Sequence, residues 1–408
     1  MAIGDIIVGI DIGTSKVSIV IGEINKFNQI ETVCTYACEC AGIKKCKIIN
    51  SEDIIKGIKK AVTEAEKQAN IKINSAYINI PGKHITIVQN SISRQTKDIY
   101  AGISLKDVQV AIMQSKDIDI PEDKVLIDLM LDKFILDNGK ELEDPVGQLS
   151  SNFTLNAQIV LADKEYIKEI TNIVKKAGIE LDGIVPNVVA ERSFILDANE
   201  TNDRVMVLDI GASNTEIGVF EGNTLIYANT ITLGGDNITS DISQVLEISY
   251  DEADKLKKQY GLALKSFIDN DNNIILNTYK TGNKTIKSSE LIEIIEARVE
   301  EIFSLVSKEI QAKGLKSKIN NVIITGLGIT SIAKSDVSAK IILGIPVKIA
   351  TGRMTSVVKP TYSAAYSIVR YIGSRPFAKT VSSSVDTMGE ETHVLRNVLE
   401  KVKDFFYS

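Results

Sequence analysis

Residues 7–22 hold two apolar runs separated by a short polar stretch, a pattern that predicts a β-hairpin. The sequence IVGIDIGTSKVSIVIG holds β-branched runs at Ile7–Ile12 and Val17–Ile21, which favour strands. The residues between them, Gly13-Thr14-Ser15-Lys16, are typical of a tight turn. Asp11 is a charged residue inside the first apolar run, where burial costs free energy unless a partner offsets it.

The same pattern returns in the second half of the chain. Residues 207–220 read VLDIGASNTEIGVF, in which Asp209 matches Asp11, Gly211 matches Gly13 and Ser213 matches Ser15. Two matched strand–turn units in one chain predict a duplicated pair of α/β domains. Each copy is expected to place a Gly-rich turn at the floor of a shared cleft.

The pattern changes between and after the two hairpins. Residues 51–68 carry apolar side chains at helical spacing and predict a long helix. Residues 85–178 mix short strand patterns with at least two helical ones, which indicates a small α+β unit. Residues 376–389, PFAKTVSSSVDTMG, have the composition of a flexible linker.

The last residues predict an amphipathic helix. Residues 390–407, EETHVLRNVLEKVKDFFY, contain no Gly or Pro, and their apolar positions recur at helical spacing. These apolar residues are Val394, Leu395, Val398, Leu399, Val402, Phe405 and Phe406. Such a short helix is marginal alone in water, so we expect it to fold against a surface. A membrane interface fits the stripe and the terminal Phe pair, and packing on the protein's own body is the alternative.

Composition excludes several classes of protein. A net charge of −6 and a pI near 5.3 argue against nucleic-acid binding, which usually requires a basic face. No apolar stretch is long enough to span a bilayer, and the first residues lack a basic leader, so we expect a cytosolic location. The four cysteines, Cys34, Cys38, Cys40 and Cys46, lack the C-x-x-C pairs of most zinc sites. We interpret them as buried reduced thiols rather than metal ligands.

The two turns are candidates for binding nucleotide phosphates. Glycine allows close approach of the backbone, and successive N–H groups can cradle phosphate oxygens. The candidate residues are Gly13, Thr14, Ser15, Lys16, Gly211, Ala212, Ser213, Asn214 and Thr215. Asp11 and Asp209 are candidate metal groups, acting through water because Mg²⁺ keeps much of its hydration shell. Two plain hairpins are the alternative.

Three further stretches fit the same site. In TLGGDNITSDI (232–242), Gly234 and Gly235 make a turn and Asp236 could begin a helix, whose N-terminus suits anions. In YDEADKLKKQYG (250–261), Asp254 and Lys257 lie three residues apart on one helix face, within reach of a ribose and a base edge or simply of each other. In NVIITGLGITSIA (321–333), backbone at Gly326, Leu327 and Gly328 could lie against an adenine.

This ordered set resembles the actin-like ATPase superfamily, and within it the FtsA family of bacterial cell-division proteins. The resemblance covers nearly the whole chain. It extends to residues 41–69, to PGKHI (81–85), to EARVEEIF (296–303) and to PTYSAAYSIVRY (360–371). Two positions depart from the family pattern: Cys46 replaces a usual Gly, and Leu327 stands in the adenosine loop where Gly is common.

The resemblance implies a division of the chain. Residues 1–84 and 179–203 would form the first actin-like half, and 204–238 with 313–375 the second. Residues 85–178 would be an inserted unit that serves subunit contact, and 239–312 would cap the nucleotide. Residues 390–408 would target the membrane beyond the linker.

The resemblance also implies a function. It implies a protein that binds ATP with Mg²⁺, forms actin-like filaments, and tethers FtsZ filaments to the inner face of the cytoplasmic membrane at the division site. The conserved C-terminal peptide of FtsZ would dock on the capping unit, where Arg298 is the candidate contact because a guanidinium pairs well with an acidic peptide. A plain ion pair of Arg298 with Glu301 is the alternative.

Weak or absent ATPase activity is expected, because the sequence offers no clear base for an attacking water. Glu191, in VPNVVAERSF, fits a structural carboxylate better than a catalytic one. A pilus-assembly protein of the same superfamily and a small-molecule kinase on the same fold are the alternative functions. The kinase requires a base on its substrate's hydroxyl group, and the pilus protein leaves the tail unexplained.

Overall fold

The computed structural model describes residues 4–27, 29–98, 100–196, 203–279, 282–350 and 359–375. The predicted linker and tail helix, residues 376–408, therefore lie outside the described residues. In the described ranges, no helix combines the length and the apolar character needed to cross a bilayer.

The secondary structure contains eighteen strands and nine α-helices within the described ranges. The strands are β1 (Ile6–Ile12), β2 (Lys16–Ile24), β3 (Ile30–Glu39), β4 (Ile43–Lys44), β5 (Lys47–Ile48), β6 (Ser75–Ile80), β7 (Ile85–Gln95), β8 (Lys124–Leu136), β9 (Glu141–Leu142), β10 (Asn152–Asp163), β11 (Glu180–Pro186), β12 (Arg204–Ile210), β13 (Thr215–Glu221), β14 (Thr224–Ile231), β15 (Asn273–Thr278), β16 (Gly282–Lys287), β17 (Asn321–Thr325) and β18 (Val347–Ile349). The helices are α1 (Ser51–Ala69), α2 (Leu105–Gln114), α3 (Lys164–Lys176), α4 (Asn187–Ile195), α5 (Gly235–Leu246), α6 (Tyr250–Tyr260), α7 (Ser288–Ala312), α8 (Ser335–Leu343) and α9 (Ser363–Ser374).

Two five-stranded sheets share one topology. The first has the order β3-β2-β1-β6-β11, and the second has the order β14-β13-β12-β17-β18. In both, three antiparallel strands are followed by two strands parallel to the central one. The repeated phrase of the sequence occupies the same place in each sheet, the hairpin of β1 with β2 and of β12 with β13. The predicted duplication is thus confirmed.

A third sheet, β7-β10-β8-β9, is inserted after the short turn Gly82–His84. It carries α2 on one face, around a small core that includes Phe134 and Phe153. The chain returns through α3, whose apolar residues pack in the same core as α1 beside the first sheet. This helix lies within the predicted insertion, residues 85–178, yet its packing belongs to the first half.

The second sheet and the predicted capping unit share one core. Helices α5, α6 and α7 and the β15–β16 hairpin contribute Ile242, Leu256, Leu276 and Phe303 to it, among other residues. Because this unit has no separate core, its position relative to the second sheet is fixed by continuous packing.

Helices α4 and α9 lie between the two sheets. Their apolar residues form a core with side chains from both sheets, including Ile7 and Val20 from the first and Val207 and Phe220 from the second. The two halves are therefore joined by buried apolar surface as well as by the chain.

The cysteines agree with the interpretation as reduced thiols. Cys34, Cys40 and Cys46 are buried, Cys38 is half-buried, and none forms a disulfide. Burial raises the pKa of each thiol, to about 12 for Cys46. Such thiols are poor nucleophiles and poor metal ligands. Over the described ranges, no group of three or more His, Cys, Asp or Glu residues could hold a metal ion.

Candidate nucleotide-binding site

The two candidate phosphate turns have the same backbone geometry. The Gly13 N–H donates to the Lys16 carbonyl at 2.9 Å, and the Gly211 N–H donates to the Asn214 carbonyl, also at 2.9 Å. Each turn begins where the central strand of its sheet ends. The register of the two paired strands is set on both sides of each turn, and this register determines the number of residues in the turn.

The second turn, the GGD segment and the late glycine loop meet closely. The Gly235 N–H donates to the Gly211 carbonyl at 2.9 Å, and the Gly328 N–H donates to the Ile210 carbonyl at 2.8 Å. A Cβ atom at Gly328 would lie 2.1 Å from the Gly211 oxygen, and one at Gly235 would lie 2.6 Å from the Gly328 Cα. Only glycine permits this approach, so three sequence-distant segments form one surface.

The start of α5 is engaged with this turn. The Asp236 N–H donates to the Ala212 carbonyl at 2.7 Å, and the Gly234 N–H donates to the Asn237 side chain at 3.0 Å. The start of α5 therefore has fewer free N–H groups for an anion than the sequence suggests. Other donors for a phosphate come from the first and second turns.

Two side chains of the second turn have buried polar atoms without a partner. These are the Ser213 Oγ and the Asn214 Oδ1. The neighbouring Thr215 differs, since its hydroxyl donates to the Leu233 carbonyl at 2.9 Å. Buried polar atoms without partners are costly, and a bound group that supplies hydrogen bonds would remove that cost. The turn therefore fits a polar ligand.

Asp11 and Asp209 lie at matching positions on the two central strands. Asp11 is 6% exposed and accepts hydrogen bonds from Asn79 at 2.7 Å and from Ser18 at 3.2 Å. Burial raises the pKa of Asp11 despite the opposing effect of Lys16. Burial and the nearby Asp11 raise the pKa of Asp209 to about 6. Two carboxylates that disfavour each other's charge fit a divalent cation, which would stabilise both.

Lys16 connects the first turn to the start of α9. Its ammonium group donates to the Thr361 carbonyl, and the charges of Asp11 and Asp209 both act on it. Burial nevertheless lowers the pKa of Lys16. A phosphate beside this group would favour its charged form.

Glu191 belongs to this carboxylate cluster, a position that the sequence did not reveal. It is 5% exposed, and its Oε2 has no hydrogen-bond partner. Burial and the charges of Asp209, Asp11 and Glu216 raise its pKa well above the ordinary value. Its neighbours in the cluster come from distant parts of the chain, so the sequence around Glu191 does not reveal them. The one local signal is that Glu191 follows β11, whose end lies near the cleft.

Asp254 and Lys257 are bonded to each other. The Lys257 ammonium lies 3.0 Å from Asp254 and donates to the Thr239 hydroxyl at 2.6 Å and to the Gly235 carbonyl at 3.2 Å. Lys257 is 5% exposed, and its bond to the Gly235 carbonyl helps to hold the GGD segment in place. Their predicted contact with a ribose and a base stays a prediction.

The remaining candidates lie at the periphery. The Leu327 side chain is 49% exposed, on the loop predicted to face the adenine. Arg298 makes a two-pronged contact with Asp241, at 2.6 and 2.9 Å, and also contacts Glu301. The seven predicted membrane residues, Val394 to Phe406, lie outside the described residues.

Two family models match the chain. The model "Cell division protein FtsA" matches residues 206–367, and the model "Type IV pilus assembly protein PilM" matches residues 9–279. The second match spans well over half of the chain. Together the two models cover both sheets, the inserted unit and the site described above.

Curated relatives are cell-division proteins. Cell division protein FtsA of Bacillus subtilis (strain 168) is 28% identical over 377 residues, which cover 90% of this chain and 83% of the relative. FtsA of Pseudomonas aeruginosa is 26% identical over 376 residues, covering 90% and 89%. FtsA of Escherichia coli (strain K12) is 24% identical over 380 residues, covering 90% of each.

Solved structures share the fold. One is the PilM–PilN type IV pilus biogenesis complex, at 13% identity and a TM-score of 0.58, covering 91% of this chain and 99% of that one. Another is MreB5 of Spiroplasma citri bound to ADP, at 13% identity and a TM-score of 0.53, covering 94% and 99%.

The fold and the converging glycine turns define a protein of the actin-like ATPase superfamily. The chain belongs to the family that the model "Type IV pilus assembly protein PilM" describes over residues 9–279, and it is similar over 90% of its length to FtsA cell-division proteins.

Proposed function

We propose that the chain binds ATP with Mg²⁺ between its halves, assembles into actin-like filaments, and tethers FtsZ filaments to the inner face of the cytoplasmic membrane at the division site. The observation that supports nucleotide binding best is the meeting of three glycine segments beside the unpartnered Ser213 and Asn214 side chains. Polar atoms of this kind gain partners when phosphate oxygens and their hydration enter the turn.

The residues have separate roles in this proposal. The turns Gly13–Lys16 and Gly211–Thr215 contact the phosphates, and the loop at Gly326–Gly328 lies against the base. Asp11 and Asp209 hold Mg²⁺ through its water shell. The bound cation neutralises charge on the phosphates and on the two carboxylates.

Calorimetry tests the nucleotide proposal. Asp209→Ala is expected to abolish the Mg²⁺-dependent part of ATP binding, because it removes one of the two carboxylates. Asp119→Ala, an exposed acidic position in the inserted unit, is the matched control and should bind ATP as the unaltered chain does. Tight Mg²⁺-dependent binding by Asp209→Ala would contradict the metal assignment.

Hydrolysis is proposed to be slow. A water-activating base needs access to the cleft and must be ionised, whereas Glu191 is buried and its pKa is raised by burial and by the charge of Asp209. A phosphate-release assay with the filament-forming protein measures this rate. Rapid transfer of phosphate to a small metabolite would instead support the kinase alternative.

The FtsZ contact is proposed to lie on the capping unit at Arg298. Because Asp241 already binds this guanidinium, Asp241→Asn should free it and raise the affinity for the acidic C-terminal peptide of FtsZ. Arg298→Glu should lower that affinity, and Arg204→Glu, at another surface ion pair, should not. Fluorescence anisotropy with the labelled peptide measures all three. Unchanged affinity for both Arg298→Glu and Asp241→Asn would remove Arg298 from the site.

The membrane anchor is proposed to be the predicted helix of residues 390–408. The full chain should co-sediment with vesicles, and a chain ending at Gly389 should stay in the supernatant yet still bind ATP. Leu399→Glu, in the apolar stripe, should abolish sedimentation. Asn397→Glu adds the same charge on the polar side and should not. A truncated chain that sediments as well as the full one would show that the tail is not the anchor.

The pilus-assembly function remains the second candidate because the PilM model spans residues 9–279. Binding to FtsZ filaments separates the two functions. Head-to-tail assembly, in which unlike surfaces meet without closing, is expected of the proposed function, and electron microscopy of the protein with ATP would test it.

A further inference from the structure

Helix α9 runs from the nucleotide cleft to the opposite edge of the first sheet. Just before its start, in the short turn Pro360–Tyr362, the Thr361 carbonyl accepts a hydrogen bond from Lys16 of the first phosphate turn. At its end, a Cβ atom on Gly373 would lie 2.5 Å from Ile30 and 3.2 Å from Ile7. Ile7 is near the beginning of β1 and Ile30 begins β3, so α9 ends beside the strand ends that lie farthest from the first phosphate turn. We call this end of the sheet, where the β2–β3 turn lies, the first-sheet edge.

The chain that follows α9 therefore starts at this edge. Arg375 is the last described residue, and residues 376–408 continue from it. If the predicted tail helix binds a bilayer, the linker of residues 376–389 tethers this edge of the sheet to that surface.

The β2–β3 turn lies at the same edge and exposes an aromatic side chain. Phe27 is 70% exposed, three residues before Ile30, which packs under the end of α9. The Lys26 ammonium lies 5.1 Å from the centre of the Phe27 ring. The Asn25 carboxamide oxygen accepts from the N–H groups of Phe27 and Gln29, both at 2.9 Å, which stiffens the base of the turn.

An exposed Phe beside a cation suits a membrane interface. The ring can enter the acyl boundary while the ammonium stays among the headgroups. The surroundings are not basic, since Asp5, Glu23 and Glu31 lie on the strand ends beside Lys26. Binding by this turn would thus depend on apolar burial rather than on attraction to anionic lipid.

We propose that the β2–β3 turn is a second membrane contact, in which Phe27 inserts into the lipid surface once the tail has bound. This inference rests on the proposed membrane function. It fixes the orientation of the body, with the first-sheet edge facing the bilayer and the nucleotide cleft facing away from it.

The chain contains no tryptophan, which allows a direct test. In the full-length protein, Phe27→Trp introduces a single tryptophan at the turn, which can be excited selectively over the twelve tyrosines. Phe267→Trp is the matched control, because Phe267 is an exposed Phe of the capping unit with Lys334 at 4.9 Å from its ring. Vesicles of phosphatidylethanolamine and phosphatidylglycerol should shift the emission of the Phe27→Trp protein to the blue, and brominated acyl chains should quench it. The emission of the Phe267→Trp protein should not change.

A binding measurement supports the spectroscopic one. Phe27→Glu should weaken vesicle binding of the full chain by about tenfold, the loss expected for one Phe removed from an apolar phase. Phe267→Glu should leave it unchanged. Because both side chains are exposed, neither substitution should affect folding, which thermal unfolding checks.

The outcomes separate this inference from the proposed function. If the Phe27→Trp protein sediments with vesicles but its emission does not respond to them, or responds only to FtsZ, the second contact is refuted and the tail anchor stands. Equal responses of the Phe27→Trp and Phe267→Trp proteins would also refute it. If the full chain does not sediment, the membrane function fails and the inference fails with it.

Discussion

Glu216 is a buried carboxyl group at the contact between the two halves. It is 4% exposed and accepts hydrogen bonds from the Gly82 N–H at 2.8 Å and from the Thr230 hydroxyl at 2.9 Å. Burial raises its pKa from 4.5 to about 8 in spite of these bonds. Gly82 belongs to the PGKHI segment, so the turn that precedes the inserted sheet is tied to the second half through this side chain.

The raised pKa predicts a pH dependence of stability. The folded chain keeps a proton on Glu216 that the unfolded chain has lost, so the free energy of unfolding should fall as pH rises from about 4.5 to 8. Glu216→Gln keeps an acceptor but cannot ionise, so its stability should fall less over this range and exceed that of the unaltered chain at pH 8. Urea denaturation of both proteins without nucleotide measures the difference. Parallel pH profiles would contradict the prediction.

At the scale of elements, the backbone of the β4–β5 hairpin favours Gly at positions 45 and 46. Its two turn residues, Lys45 and Cys46, have φ of +50° and +59°, as the tightest hairpin turns require. Residues other than Gly lose roughly 1–2 kcal/mol in this conformation. The chain tolerates it at Cys46 because the side chain is fully buried.

Lys45→Gly should therefore stabilise the protein. Lys45 is exposed, so the substitution removes strain without removing packing, and we expect a gain of about 0.5–1 kcal/mol. Lys47→Gly, two residues later in β5, is the control and should be neutral or destabilising because its backbone is extended. Thermal unfolding compares the two. A loss of stability in Lys45→Gly would show that the turn is not strained.

The sequence predicts elements better than it predicts clusters. Both phosphate hairpins follow from local residues, because β-branched runs and a glycine turn determine them. The close approach of Gly211, Gly235 and Gly328 needs three distant segments and was inferred only from their order. Glu191 was not assigned to the site, because the residues around it in the sequence do not show that it lies near Asp209 in the fold. The packing of α3 with α1 was missed for the same reason.

At the scale of the whole molecule, one ionic cluster links the inserted sheet to the end of α9. Asp128 of β8 is 9% exposed. It accepts a hydrogen bond from the Tyr371 hydroxyl at 3.1 Å and forms an ion pair with the Arg375 guanidinium. The same guanidinium donates to the Leu129 carbonyl at 2.9 Å. The insertion is thereby attached to the residue from which the predicted linker begins.

Asp128→Asn should loosen this attachment. The substitution leaves Arg375 without its counter-charge, so we expect a loss of about 2–3 kcal/mol in unfolding free energy. Asp132→Asn, on the same strand, should cost less than about 0.5 kcal/mol. Urea denaturation measures both, and a double substitution with Arg375→Gln should cost less than the sum of the two single ones. Additive effects would show that Asp128 and Arg375 do not interact.

Because α9 ends far from the cleft, we predict that the monomer binds nucleotide and membrane independently. Helix α9 separates Thr361 at the phosphate turn from Arg375 at the far edge, and its 12 residues span about 18 Å. No described residue of the site lies at the edge where the tail begins. Deleting residues 390–408 should therefore change the ATP affinity of the monomer by less than about twofold, a free energy below about 0.5 kcal/mol. Calorimetry at protein concentrations too low for filament assembly measures this affinity, with Asp209→Ala as the variant that must lose Mg²⁺-dependent binding.

If nucleotide and membrane bind independently in the monomer, nucleotide would affect membrane binding only through filaments, in which the weak binding of many tails adds up. A larger change on deletion would mean that the tail contacts the body near the cleft.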